Sequence, residues 1–173
     1  VSYSGFLNGD NSTDLTSEPT ASSTAIATTG VGTVPITASG GVDNNYSFNY
    51  VPGTLTITKA VLTVTADDKS RVYGAANPAF TVSYSGFLNG DNSTDLTSEP
   101  TASSTAIATT GVGTVPITAS GGADDNYSFN YVPGTLTITK AVLTVTADDK
   151  SRVYGAANPA FTISYSGFLN GDN

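Results

Sequence analysis

The chain has 173 residues, a formal net charge of −8 and only 12% charged residues, with no Cys, Met, Trp or His. The missing cysteine excludes a disulfide framework and a thiolate metal site, and the acidic balance argues against nucleic acid or anionic membrane as a partner, since both need basic patches. No apolar run approaches the roughly 20 residues that cross a bilayer, no signal segment is visible, and the lack of a starting Met marks the chain as an expected slice of something larger.

The chain opens on VSYSGFLNGDN, a segment that returns at Val82 and again, as ISYSGFLNGDN, at Ile163. Sliding residues 1–92 onto 82–173 leaves three mismatches: Val42 against Ala123, Asn44 against Asp125, and Val82 against Ile163. The period is 81 residues. That is too long for a solenoid repeat and fits a small independent domain. Such near-identity reports tandem duplication and says nothing about which residues matter.

Along one period, Leu55 and Ile57 alternate with threonines, and Leu62, Val64 and Ala66 then alternate in the opposite phase. No glycine or proline separates the two sets. The phase flips because Thr54–Lys59 closes one hydrophobic interior and Val61–Ala66 opens the next. The hinge is therefore two residues, Lys59-Ala60, repeated at Lys140-Ala141, and the β-branched residues on both sides stiffen it.

Further on, YGAANP turns the chain at Gly74 and Asn77-Pro78, and Phe80, Val82 and Tyr84 form a second alternating set. Asn89-Gly90 is a tight-turn dipeptide. Thr101 to Thr110 is weakly patterned and fits an edge strand or a loop. Val115, Ile117 and Ala119 alternate around Pro116, which cannot donate to a ladder and so predicts an edge or a bulge. Tyr127, Phe129 and Tyr131 alternate next. VPG at Val132 to Gly134 then turns the chain, and Leu136 and Ile138 are expected to return antiparallel to them. Six or seven short strands at turn-punctuated spacing are the pattern of an immunoglobulin-like sandwich. A helical period fits nowhere, and a parallel β-helix lacks its short internal repeat.

The expected architecture is all-β: tandem immunoglobulin-like β-sandwich repeats of 81 residues forming a rod or fibre. Residues 60–140 make the complete repeat. Residues 1–59 are a partial repeat lacking its first strands, and residues 141–173 a partial repeat with first strands only. Either the chain is a cut from a continuous fibre, or copies pair head to tail by lending strands to each other.

TLTITKAVLTVTADDKSRVYGAANPAFTVSYSGFLNGD, from Thr54, and NYSFNYVPGTLTITKA, from Asn126, resemble the MBG repeats, the mostly bacterial immunoglobulin-like modules also described with YDG-type repeats. The resemblance covers the whole period. It implies tandem modules of very large bacterial surface or secreted proteins, including filamentous-haemagglutinin-like adhesins, and hence an extracellular stalk. It implies no catalytic residues.

Enzyme chemistry is not expected. Histidine and cysteine are absent, so acid–base work would fall on carboxylates, and Glu99 is the one glutamate of the full repeat. If the first strand runs from pole to pole, Asp67 and Asp68 emerge where Asp124 and Asp125 precede the returning strand. Four carboxylates near the junction could then hold calcium and lock two repeats together. The alternative is that both doublets are solubilising turn residues. NGDNSTD lacks the glycine and glutamate of an EF-hand and reads as a turn. Lys140 shares phase with Leu136 and Ile138, so it is either an isopeptide candidate or a lysine that snorkels outward to the acidic cluster. Tyr127, Phe129 and Tyr131 are expected in the core, with hydroxyls at its rim. The partners expected are neighbouring copies of the same repeat, with a ligand-binding adhesin module contacting glycan or host protein as the alternative.

Overall fold

The structure, a computed structural model, describes residues 1–173. Residues 1–59 hold strands β1 (Thr20–Ser23), β2 (Gly32–Ser39) and β3 (Gly53–Ile57). Residues 60–140 hold β4 (Ala60–Ala66), β5 (Lys69–Val72), β6 (Val82–Ser85), β7 (Thr101–Ser103), β8 (Gly113–Ser120), β9 (Tyr127–Val132) and β10 (Gly134–Thr139). Residues 141–173 hold β11 (Thr144–Ala147) and β12 (Ile163–Ser166). The only helical elements are two short 3-10 turns, Ser12–Asp14 and Ser93–Asp95. Each is capped reciprocally, by Asn11 with Asp14 and by Asn92 with Asp95.

The middle unit is a two-sheet sandwich. One sheet has the order β6-β4-β9 and the other β5-β10-β8-β7. Alternation dictates what enters the space between them. From β4 come Leu62, Val64 and Ala66, at 0%, 0% and 1% exposure; from the facing sheet come Ile117, Leu136 and Ile138. Leu96 and Ala106 fill in from the connections, and Tyr127 from β9. Burial of each large aliphatic side chain here contributes about 2 kcal/mol.

Two features differ from the expectation. Val132 to Gly134 was expected to make a hairpin, yet β9 and β10 never pair. β9 runs parallel to β4, and β10 runs parallel to β5 and antiparallel to β8. The cause is a crossing between sheets. Pro133 offers no N–H to continue a ladder, and Gly134 lies so close to Ala66 that a Cβ there would collide with the Ala66 carbonyl oxygen. The second difference is β5, which shows no apolar alternation because its buried residue is Arg71. Together β4 and β5 form one long path that changes sheets at Asp67-Asp68, and β9 and β10 form another. The two paths keep a single register: Ala60 faces Tyr127 at one end and Val72 faces Thr139 at the other. At the shared crossing, Asp68 Oδ1 accepts the Thr135 N–H at 2.6 Å.

Pro116 sits in β8, a strand with neighbours on both sides, but β7 covers only Thr118 to Ser120. The Pro116 carbonyl, just past the end of β7, accepts the Ser104 hydroxyl at 2.8 Å. The proline thus occupies a locally free edge. Thr101 to Ser103 is the edge strand itself, and Ser104 to Thr110 is loop.

The flanking units show what each strand depends on. Tyr46–Val51 has the same sequence as β9, yet it forms no strand where no β4 lies beside it. Lys150–Val153 repeats β5 and is likewise irregular without a β10.

Candidate functional site: the junctions between repeats

Only Thr58 and Lys59 separate β3 from β4. The Lys59 ammonium donates to the Asp124 carbonyl oxygen at 2.6 Å, and the Ala60 N–H donates to the Asn126 carbonyl oxygen at 2.9 Å. Asn126 also reaches back across the junction, where its Oδ1 accepts the Val31 N–H at 2.9 Å. On another side of the junction, Asn89 Nδ2 donates to the Ala27 carbonyl oxygen at 3.3 Å. Asn89 has φ 56°, a left-handed position that asparagine tolerates, so the Asn89-Gly90 turn aims its amide at the preceding unit.

The second junction repeats this bond one period on: Asn170 Nδ2 lies 3.5 Å from the Ala108 carbonyl oxygen. It shows two further contacts. Tyr73 OH donates to Asp172 Oδ2 at 3.1 Å. The Leu169 side chain lies over Gly74, with Cδ1 2.6 Å from where a Cβ would stand. Gly74 has φ 84°, a left-handed position that favours glycine, and any Cβ there would make the Leu169 side chain shift. Lys140 and Ala141 occupy the places of Lys59 and Ala60.

The loop that accepts Asn170 is braced from inside by Arg71. This side chain is 7% exposed. Its Nε donates to Asn77 Oδ1 at 2.8 Å, Nη1 to the Val72 carbonyl at 3.2 Å, and Nη2 to the Ile107 carbonyl at 2.6 Å. Asn77 Nδ2 completes the clamp on the Ala106 carbonyl at 2.6 Å. Three planar donors spread over the turn at Asn77-Pro78 and the 104–110 loop hold both against β5. Sequence reasoning took this segment for a turn and missed the clamp. Arg71 and Arg152 are the only arginines, one at each copy of the motif, and that was the available signal.

The acidic doublets do not gather. β9 runs parallel to β4, not antiparallel as expected, so Asp124 and Asp125 lie where β4 begins and Asp67 and Asp68 where it ends. About 20 Å of strand separates them. No three carboxylates converge anywhere in the chain, and the doublets share no metal site. Three of the four aspartates are instead engaged locally, Asp68 at the crossing described above. Asp124 Oδ1 accepts the Asn126 and Tyr127 N–H groups at 2.7 and 3.0 Å. Asp67 Oδ1 accepts the Ser83 hydroxyl at 2.6 Å, and its Oδ2 accepts that of Thr81. Asp125 is exposed. Lys140 is exposed too, and lacks the burial that isopeptide chemistry requires. Of the three aromatics expected in the core, Tyr127 is buried, Phe129 is half-buried against it and Tyr131 is exposed; the Tyr127 hydroxyl donates to Asp91 Oδ2 at 2.7 Å and accepts the Leu88 N–H at 2.9 Å. Burial, with Asp91 beside it, raises the Tyr127 pKa.

The Ser83 and Thr81 hydroxyls, with Lys69 nearby, hold the Asp67 carboxyl below the usual aspartate value. A carboxyl depressed on folding stabilises the fold above its unfolded pKa, about 3.9, and that contribution is lost as pH falls through the folded value. Urea midpoints measured between pH 6 and pH 2 should therefore fall on acidification. Asp67→Asn should lower the midpoint at neutral pH and make the acid decline shallower.

Fold and junctions together define a tandem β-sandwich array, in which successive units are joined by two residues at the first junction and four at the second and share one recurring side-chain bond, from Asn89 and Asn170. The chain belongs to the MBG domain family of YGX type, whose model matches residues 1–56, 62–137 and 143–173. Tyr73-Gly74-Ala75 and Tyr154-Gly155-Ala156 fit that description. MBG domains are typical of surface proteins. No helix is long and apolar enough to cross a membrane. No curated protein and no solved structure matches the chain.

Proposed function

We propose that the chain is a stalk segment of an extracellular bacterial surface adhesin or fibre, and that its work is mechanical spacing with no catalysis. The observation that supports this reading best is the recurrence of one junction. Asn89 to Ala27 and Asn170 to Ala108 are the same bond, 81 residues apart. A junction that repeats this side-chain bond over a link of two to four residues sets the direction of each unit from the one before. Thirteen residues, Ala60 to Val72, run the length of a unit in one register, so each unit adds roughly 40 Å.

Small-angle scattering of the whole chain tests the reading. A spacer keeps one extended length with a narrow distance distribution. Inserting Gly-Ser-Gly-Ser between Lys59 and Ala60 should broaden that distribution while leaving the unfolding temperature of the middle unit within about 1 °C, because a flexible insert alters only the relative placement of the units. A wild-type distribution already as broad as that of the insert defeats the stalk. Binding to a glycan array or to host matrix proteins by the unmodified chain would favour a ligand-binding adhesin module instead.

A further inference from the structure

We infer that Asn89-Gly90 and Asn170-Gly171 are sites of spontaneous deamidation, and that the reaction unlocks the junctions these asparagines hold. The side-chain amide that reacts is the same amide that bonds across the junction. Asn89 Nδ2 donates to the Ala27 carbonyl oxygen, and Asn170 Nδ2 to that of Ala108.

The nucleophile is the backbone nitrogen that follows the asparagine, and glycine leaves it unshielded. A Cβ at Gly90 or at Gly171 would meet nothing within 4 Å. The Asp91 N–H closes the turn on the Leu88 carbonyl at 2.9 Å, while the Gly90 N–H donates to no group of the chain. Asn89 itself is exposed. The other asparagines of the 60–140 unit lack this combination. Asn77 precedes Pro78, which has no N–H, and its amide is held by Arg71 and the Ala106 carbonyl. Asn92 Oδ1 is engaged by the Thr94 N–H and hydroxyl. Asn126 and Asn130 precede tyrosines, whose bulk covers the attacking nitrogen.

The step needs only water and hydroxide. Hydroxide takes the Gly90 N–H proton, the nitrogen bonds to Asn89 Cγ, and the Cγ–Nδ2 bond breaks as ammonia leaves with a proton from water. Water then opens the cyclic imide at either carbonyl, leaving aspartate or isoaspartate. The Ala27 carbonyl oxygen now faces a carboxylate, which has no proton to donate. The bond is lost and two acceptors repel. Isoaspartate also lengthens the main chain of the turn by one carbon. Each junction thus carries a clock that softens it with age.

Ageing the full chain in mildly alkaline buffer tests the inference. Trypsin places the two pairs in separate peptides, 72–140 and 153–173, and leaves Asn8-Gly9 in 1–59 as a reference for the same dipeptide. Mass spectrometry should show the amide replaced by hydroxyl at Asn89 and Asn170. Small-angle scattering should broaden in step, toward the distribution of a fresh chain carrying Asn89→Asp and Asn170→Asp, with the melting temperature of the middle unit unmoved. Gly90→Ala with Gly171→Ala, where the methyl has room, should lose most of the conversion at both sites. Asn89 and Asn170 left intact after Asn8 has converted overturn the inference. So does a narrow distribution that survives conversion or the two aspartate substitutions. The inference rests on the stalk reading: a fresh wild-type chain that is already broad defeats both, whereas the preceding outcomes defeat this inference alone.

Discussion

Gly134→Ala should unfold the middle unit, while the identical change at Gly53 leaves the monomeric chain as stable as before. Glycine at 134 is required by space and not by dihedral angle. The added methyl would overlap the Ala66 carbonyl oxygen and approach the carbonyl carbons of Ala66 and Asp67 at 2.8 and 3.1 Å. All three are backbone atoms of the path crossing beside it, so no side-chain rotation relieves them. Separating the two crossings would pull β4 from β9 and β5 from β10 together, and with them Leu62, Val64, Leu136 and Ile138. The expected loss is at least 3 kcal/mol, at the upper end of overpacking costs because the obstacle is main chain. Chemical denaturation with amide exchange read at β4 and β10 measures it. Equal stability of the two variants at low protein concentration would show that the crossing has slack.

Arg71→Ala should be the next most damaging change, at about 2–4 kcal/mol. The guanidinium lies inside the unit and bonds to carbonyl and amide oxygens. Removing it leaves the Ile107 carbonyl and Asn77 Oδ1 without their donors and opens a void beside β5. Arg71→Lys should recover less than half of the loss, because one ammonium cannot span three acceptors in different directions. The second effect is local. Ala108, which receives Asn170 across the junction, follows Ile107 directly. Amide exchange around Thr109 and Thr110 should accelerate in Arg71→Ala before the unit melts globally. Arg152→Ala, at an exposed side chain with the same local bonds to Asn158 and Val153, should cost well under 1 kcal/mol.

The sequence and structure part company in an instructive place. Alternation located β4, β8, β9 and β10 and their buried faces, because period-two burial is written residue by residue. It could not show that β9 and β10 lie in different sheets. Strand partnership depends on contacts such as Gly134 against Ala66, which join residues far apart in sequence. The expected hairpin at Val132 to Gly134 was a local inference overruled by this long-range one, and the supposed calcium site went with it. β5 escaped notice because its inward residue is charged. The phase flip placed a hinge at Lys59-Ala60, one residue beyond the Thr58-Lys59 link between β3 and β4. The bonds across it were not legible, since Asn89 and Asn126 each sit in loops whose partners belong to another unit. Tyr46–Val51 and β9 make the general point: one sequence, strand or coil, according to what lies alongside.

The paired parallel paths also determine how a unit responds to tension. The chain enters at the start of β4 and leaves at the end of β10, so a pull on the termini drags the first path one way and its hydrogen-bonded neighbour the other. Load then falls on the whole row of backbone bonds at once, in shear, whereas a hairpin pulled at its open end would unzip one bond at a time.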